Sequence, residues 1–383
     1  MTPTTDITCD VLIVGGGPAG STCAWALRRA GLDVAVVDAA SFPRDKVCAG
    51  WITPQVVTAL NLDVEEYRRG RTFQPITGFR VGLIDSGDDV RTAYSSQVSF
   101  GIRRCEFDHY LLERSGARVL AGTPVKTINH VASAGSTGGQ WIVNDSIRAP
   151  LLIGAGGHFC PVSKWLNGPM SAASVVVAQE AEFPIESDGA ASSAVEGAAP
   201  ELYFCRDLKG YGWCFRKGDY LNVGLGRLDR RSLPRATADF VAFLASRGRV
   251  SRQAQPQWRG HAYAVYDTPH RRVVDANVML VGDAAALAYA QSGEGIRPAI
   301  ESGLLAAETI VAAKGDYSRA RLEPYAERLQ TRFGTGPVSS ALSGIVPPRV
   351  GAALARRLLK TPAFVRHVVL DRWFLHRHQP ALG

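Results

Sequence analysis

The chain predicts an α/β fold: a parallel sheet flanked by helices, interrupted by a second, mostly antiparallel β domain and followed by further helices. Three observations predict it. The first forty residues read strand, glycine turn, helix, strand; a second strand and glycine turn lead into a helix near residue 280; and alternating β-rich stretches lie between them. With 383 residues, 46% hydrophobic and 20% charged, the chain is long enough for two interlocked domains and too apolar for disorder.

The N-terminal elements come first. Asp10 to Val14 is a short apolar run without polar alternation, as in a parallel strand buried on both faces. It runs into Gly15, Gly17 and Gly20, a GxGxxG spacing that opens a helix through Pro18 and Ala19. The first glycine permits the tight turn, the second lets a pyrophosphate approach the backbone, and the third lets helix and strand pack closely. The helix start offers free N–H groups and a positive dipole end. Gly31 closes the helix, "VAVVD" makes the next strand, and Asp38 stands at its end, about 20 residues on, where a carboxylate can accept a ribose hydroxyl.

The second element, "NVMLVGDAAALAYAQSGEGIRPAIESGLLAAETI", gives a buried strand, Gly282 and Asp283, then Gly293, Gly295 and a helix from Ile296. It resembles the second FAD motif of p-hydroxybenzoate hydroxylase-type flavoproteins, in which the Asp holds the ribityl chain. The resemblance implies FAD rather than NAD and an FAD-binding Rossmann-like domain of the glutathione reductase type. "RCEFD" resembles the family's RxxFD element and puts Arg104 near the FAD. Ala286 and Ala290 stand where that motif commonly has Gly and Pro. A third element, "LLIGAGGHFCPV", has Gly156 and Cys160 where relatives carry Asp and Ser, which questions nicotinamide contacts; Gly154 and Gly157 are expected by the ADP half, and His158 reads as structural.

Two further stretches narrow the resemblance. "SFPRDKVCAGW" resembles the FPRDKxCGG segment of geranylgeranyl reductase-like proteins, with Ala49 in place of its middle glycine. It implies flavin contacts for Arg44, Cys48, Ala49 and Gly50, and catalytic candidates in Cys48 and Trp51. Cys48 is open between a proton-donating or redox thiol and a packing residue, and Trp51 between core aromatic and substrate platform. "YGWCFRK" followed by "GLG" resembles the YxWxFPKx6GxG signature of the same family, with Arg216 for its proline. That implies an FAD-dependent oxidoreductase reducing carbon–carbon double bonds of a lipophilic, isoprenoid substrate, with NAD(P)H or ferredoxin as electron donor. An FAD-dependent monooxygenase is the alternative, the halogenase variant being disfavoured by a missing Trp-x-Trp-x-Ile. A flavin-binding or membrane-associated interaction protein is a third reading.

The expected domains are an FAD-binding domain of residues 1–70, 101–172 and 273–315, a substrate-binding β domain of 71–100 and 173–272, and a C-terminal helical region of 316–383. In the β domain, a two-residue turn at Gly218 and Asp219 pairs Trp213 with Gly224 and Tyr211 with Gly226, on the face of Phe215. Aromatics laid over glycines repair packing, or form a smooth apolar wall for a long hydrocarbon. As substrate-binding residues, Tyr211, Trp213 and Phe215 would make Gly224→Val impair long-chain turnover more than flavin content or stability.

The remaining features bound partners and place. The formal charge of +8 is spread along the chain, and nucleic acid is not an expected partner. The denser "ARRLLKTPAFVRHVVLDRWFLHRH" reads as a terminal helix on the protein's own core, with a helix at a membrane surface as the other reading. No signal peptide or span is visible, so a cytoplasmic protein, peripheral at most to a membrane, is expected. Seven cysteines without CxxC spacing suggest reduced thiols and no metal site.

Overall fold

The computed structural model describes residues 6–84, 86–131, 139–169, 175–185, 194–251, 257–264, 271–334 and 348–382. The chain packs as two units. One is Met1–Arg44, Cys105–Ser174 and Tyr263–Gly336; the other is Asp45–Arg104, Val175–Ala262 and Pro337–Gly383. Residues 45–70, read from the sequence with the nucleotide domain, fall in the second unit, as do residues 337–383, read as a separate helical region. Among the described residues no helix is long and apolar enough to cross a membrane, no cluster could hold a metal ion, and all seven cysteines are free thiols.

The first unit is built on a six-stranded sheet in the order Val274–Asp275, Val278–Leu280, Leu151–Gly154, Val11–Val14, Val34–Val37, Arg118–Leu120. Every pairing from Val278–Leu280 onward is parallel, and only the outermost pair is antiparallel. Val11 to Val14 and Val34 to Val37 are almost wholly buried, which is why these strands read as unbroken apolar runs. A four-stranded sheet, Ile7–Thr8, Ile147–Ala149, Gln140–Val143 and Ile128–Val131, stands beside it. The helices Pro18–Arg29 and Ile296–Ala313 cross closely at Gly303, where a Cβ would lie 2.6 Å from the Ala19 carbonyl oxygen.

In the same unit Glu301 is fully buried between Arg297, whose Nε donates at 2.8 Å, and Arg332, which donates at 2.8 and 2.9 Å. This ties Ile296–Ala313 to the helix Arg319–Phe333.

The second unit centres on a seven-stranded sheet in the order Arg259–Ala264, Val175–Pro184, Tyr220–Arg227, Gly210–Lys217, Glu201–Phe204, Gly78–Leu83, Asp89–Ala93. From Val175–Pro184 onward its pairings are antiparallel except that between Glu201–Phe204 and Gly78–Leu83. One face packs the helix Leu233–Ser246 over Tyr203, Leu221, Val223 and Leu225. The other packs Trp51, Phe79, Leu202, Trp213 and Phe215 against the C-terminal residues Val365, Val369, Leu370 and Phe374. Those C-terminal residues are fully buried on a π-wound helix, Val365–Phe374, so the basic terminal stretch is docked on the protein's own core.

Candidate functional site

In the first unit the three glycines of GxGxxG do different work. Gly15 has φ +115°, and a Cβ there would lie 2.4 Å from the Ala155 carbonyl oxygen; one on Gly20 would lie 1.9 Å from the Gly15 oxygen. Both are closed against the fold. A Cβ on Gly17 would meet only the Arg44 guanidinium, at 3.4 Å. Gly17 is the N-cap of Pro18–Arg29 and has no side chain to cap the helix, so the helix start faces an open cradle. Pro18 and Ala19, the first two helical residues, are buried.

Two charged groups flank this cradle. Asp38 accepts the Gly16 N–H at 2.7 Å on one carboxylate oxygen and the Ala40 N–H at 2.8 Å on the other, leaving each oxygen a further lone pair for a hydroxyl. Arg44 lies over the Phe42 ring, 4.7 Å from its centroid, and pairs with the fully buried Asp108 at 3.3 Å. The Asp of the RxxFD element therefore fixes Arg44 at the glycine loop. Arg104 opens the helix Arg104–Arg114 and is itself buried.

The second glycine turn lies in the same unit. Gly282 has φ +60°, and a Cβ on it would lie 2.9 Å from Ala19 Cβ; its N–H donates to Ser302 Oγ at 2.9 Å. Gly295 is the N-cap of Ile296–Ala313, whose Arg297 N–H donates to the Glu294 carboxylate at 2.8 Å, and the Asp283 carboxylate lies 3.2 Å from where a Cβ on Gly295 would stand. A Cβ on Gly293, φ +67°, would collide with the Tyr263 hydroxyl at 2.1 Å. Ala286, in place of the usual glycine, keeps the left-handed backbone at φ +59°. Gly156 leaves room for Cys160: a Cβ there would lie 3.2 Å from Cys160 Cα.

These features fit FAD. An uncapped helix start at Gly17, a glycine whose missing side chain opens a cradle, a carboxylate at a strand end and a fixed guanidinium are the groups a pyrophosphate and ribose require. Gly17, Asp38, Arg44, Asp283 and Gly295 would hold it, on a turn that Gly15, Ala19 and Gly20 pack closed.

In the second unit three buried side chains clamp the loop Cys48–Gly50. The Cys48 N–H donates to Glu180 Oε2. Asn222 donates to the Cys48 carbonyl at 3.4 Å and to Glu182 at 3.1 Å. Lys217 Nζ donates to the carbonyls of Ala49 and Ile102, each at 3.1 Å, and lies 2.6 Å from Glu182. Gly50 has φ +67°, and a Cβ on it would lie 2.7 Å from that ammonium, so the position admits only glycine. Cys48 is half-buried, its sulfur accepting the Gly50 N–H at 3.4 Å, while Ala49 turns its methyl onto the aromatic core.

The electrostatics of this cluster are uneven. Burial pushes the Glu180 carboxyl up to about 8, against the pull of Lys217 and with the help of Glu182. Burial opposes ionisation of Glu182 as well, but Lys217, Arg103 and Asn222 outweigh it and hold that carboxyl below its ordinary value.

The hairpin has the register counted from its turn: Tyr211 faces Gly226, Trp213 faces Gly224, and Phe215 faces Asn222. The Trp213 indole lies across Gly224, where a Cβ would be 2.2 Å from its Cζ2, and donates to Asn222 at 2.7 Å. Trp51 stacks on Phe215 with centroids 5.0 Å apart and planes 13° apart, and Phe374 closes on both Trp51 and Tyr211. Phe215 is 0% exposed and Trp213 and Trp51 are each 5% exposed, while Tyr211 is half-buried; the C-terminal helix roofs this face. The Trp51 indole N–H is buried with no hydrogen-bond partner among the described residues. The expectation that Gly224→Val would separate turnover from stability falls on this geometry, because any side chain at Gly224 displaces Trp213.

Sequence reasoning did not single out Glu180, Glu182 or Asn222, and matched Lys217 without a role. The available signal was two glutamates at i and i+2 in "AQEAEF", a spacing that puts both on one face of a strand.

Comparison with known proteins places these features among flavoproteins. Residues 8–333 match the family described as FAD binding domain. The chain is 31% identical over 353 residues to menaquinone reductase of Mycobacterium tuberculosis, covering 86% of this chain and 82% of the relative. It is 28% identical to digeranylgeranylglycerophospholipid reductase of Methanothrix thermoacetophila, covering 85% and 84%. Among solved structures, a geranylgeranyl bacteriochlorophyll reductase-like protein from Thermoplasma acidophilum matches with TM-score 0.73 at 21% identity, covering 95% of this chain and 91% of that one. The flavin-dependent halogenase CmlS matches with TM-score 0.67 at 19% identity, covering 92% and 72%. At these identities the two structures show the fold alone.

Proposed function

From the premise that this chain belongs to the FAD-binding-domain family and is a geranylgeranyl reductase-like, FAD-dependent oxidoreductase, we propose that it reduces carbon–carbon double bonds in a polyprenyl chain. What carries the reading is the loop Cys48–Gly50, held on its inner side by Glu180, Asn222 and Lys217, within a chain whose relatives are named as reductases of menaquinone and digeranylgeranylglycerophospholipid. The shared chemical denominator of those names is a polyprenyl lipid.

The chemistry that bound, reduced FAD supplies is hydride delivery to one alkene carbon. The chain's own residues do the rest. The helix start at Gly17, with Arg44 and Asp38, binds the phosphates and ribose, and Asp283 at the start of Ile296–Ala313 binds a hydroxylated chain. In the second unit the clamp fixes the loop that carries Cys48, the candidate proton-donating or redox thiol, and leads into Trp51. The apolar core behind Trp51 excludes water, so a proton held at a carboxyl or thiol is not lost to solvent.

The test is anaerobic photoreduction of the purified flavoprotein, addition of polyprenyl substrates, and measurement of flavin reoxidation with product mass. Reoxidation with a gain of two hydrogens is the expected result. Turnover that appears only with oxygen, with oxygen in the product, overturns the proposal.

A further inference from the structure

The polar cluster behind the Cys48–Gly50 loop is out of keeping with its surroundings. Glu180 is 6% exposed, Asn222 and Lys217 are no more than 1% exposed, and all face the aromatic core side of the sheet. Two carboxylates, Glu180 and Glu182, share one ammonium. Lys217 and Arg103 both go to Glu182, at 2.6 and 2.9 Å. Glu180 is left with a neutral donor, the Cys48 N–H, and no ion pair among the described residues, so its ionised form is buried without a contacting cation while both cations sit on Glu182.

We propose that Glu180 is a positioning residue that holds the Cys48–Gly50 loop through its own proton state. Protonated, it is a neutral acceptor for the Cys48 N–H. Ionised, it grips that N–H with a charge-assisted bond, draws on Lys217 and repels Glu182. The charged groups that face it are Lys217 from the hairpin, Glu182 from its own strand and, beyond Glu182, Arg103; the Cys48 thiol is carried by the loop it holds. The upward push on this carboxyl puts the change of state near pH 8. The consequence for turnover rests on the reading of Cys48 and Trp51 given above; the clamp itself does not.

Glu180→Gln tests it, because glutamine copies the protonated acid in shape and hydrogen bonding and never titrates. Iodoacetamide is reacted with wild type and variant across pH 6 to 9.5, and modification is resolved by site, with Cys105, half-buried in the other unit, as internal control. The two proteins are expected to react alike at Cys48 below pH 7. Near pH 9 the wild type should be slower at Cys48 by about three- to tenfold, since a fixed negative charge opposes the attacking sulfur, with no divergence at Cys105. Parallel profiles at Cys48 overturn the proposal.

If the variant fails to fold, amide exchange of a wild-type peptide spanning residues 44–53, corrected for intrinsic rate, replaces it. Protection that rises through pH 8 supports the clamp and flat protection overturns it. Neither readout needs turnover, so a chain that reduces no polyprenyl substrate yet shows the divergence loses the proposed function and keeps the clamp. The reverse outcome removes only the clamp.

Discussion

Gly224→Ala adds one methyl to the hairpin, and the structure fixes what that methyl meets. Its carbon would stand 2.2 Å from Trp213 Cζ2, 2.5 Å from Cε2 and 2.9 Å from the Gln179 carbonyl oxygen. The carbonyl belongs to the paired strand Val175–Pro184 and cannot retreat alone, so the indole must swing by more than 1 Å to reach an ordinary ~3.5–4 Å contact. Swinging breaks its 2.7 Å bond to Asn222, a fully buried amide. An orphaned buried acceptor costs ~1–3 kcal/mol, and an overpacked core another ~1–3 kcal/mol. Lower chain entropy of alanine in the unfolded state returns ~0.5–1 kcal/mol. The expected net loss is therefore ~1–5.5 kcal/mol in urea unfolding with unchanged m-value. In a Trp213→Ala background, where the indole is gone and only the 2.9 Å approach to the Gln179 carbonyl remains, the same substitution should cost less than in the wild-type background. A Gly224→Ala protein within ~0.5 kcal/mol of wild type, or equal costs in both backgrounds, would refute the reasoning.

Other substitutions divide the roles further. Gly17→Val meets only Arg44, so flavin retention after gel filtration should collapse while the unfolding midpoint of the flavin-free variant stays within a few degrees of flavin-free wild type; a drop in that midpoint as well would mean the cradle is not open. Lys217→Met leaves the carbonyls of Ala49 and Ile102 without their side-chain donor and takes from Glu182 one of its two cations, and should cost ~3–5 kcal/mol in chemical unfolding, as for other broken buried pairs. Glu180 keeps its proton in the folded chain from the ordinary carboxyl value of 4.5 up to about 8, while the unfolded chain has released it. Stability must then fall as pH rises through that interval, by at most ~1.4 kcal/mol per pH unit, and Glu180→Gln should flatten the fall in Tm measured at pH 5, 6.5 and 8.

The glycine turns were legible in the sequence because each is a local demand. A positive φ at Gly15 and Gly282, or a Cβ inside another residue's backbone at Gly20, admits one residue type whatever the rest of the fold does. The hairpin register was legible for the same reason, since a two-residue turn and a period of two fix every partner. The clamp was not. In "AQEAEF", alternation places Glu180 and Glu182 opposite Gln179, Ala181 and Phe183, and the usual rule sends the acids to water. They are inside because both faces of the strand are covered, by Leu233–Ser246 on one side and the Cys48 loop on the other, and no local pattern announces a second cover. The pairing of Arg44 with Asp108 was hidden likewise, 64 residues apart in the chain.

The roof over the hairpin's aromatic face changes what the signature residues can be asked to do. For a prenyl chain to lie on Phe215 and Trp213, the side chains of Val369, Leu370 and Phe374 must leave, each giving up ~1.5–3 kcal/mol of burial, or ~4.5–9 kcal/mol together. One isoprene unit of five carbons returns ~4 kcal/mol at ~0.8 kcal/mol per buried carbon. The exchange is unfavourable unless several units enter at once, so Trp213 and Phe215 act as the floor of a filled core, and Lys217 and Asn222 act by holding the loop. Phe374→Ala discriminates between these roles. It removes a ring that touches Trp51 and Tyr211 and should cost ~3–5 kcal/mol in unfolding free energy. If the roof were instead a closed gate over a binding wall, the same change would lower KM for long-chain substrates with little loss of stability, and the hairpin's rings would return to the substrate.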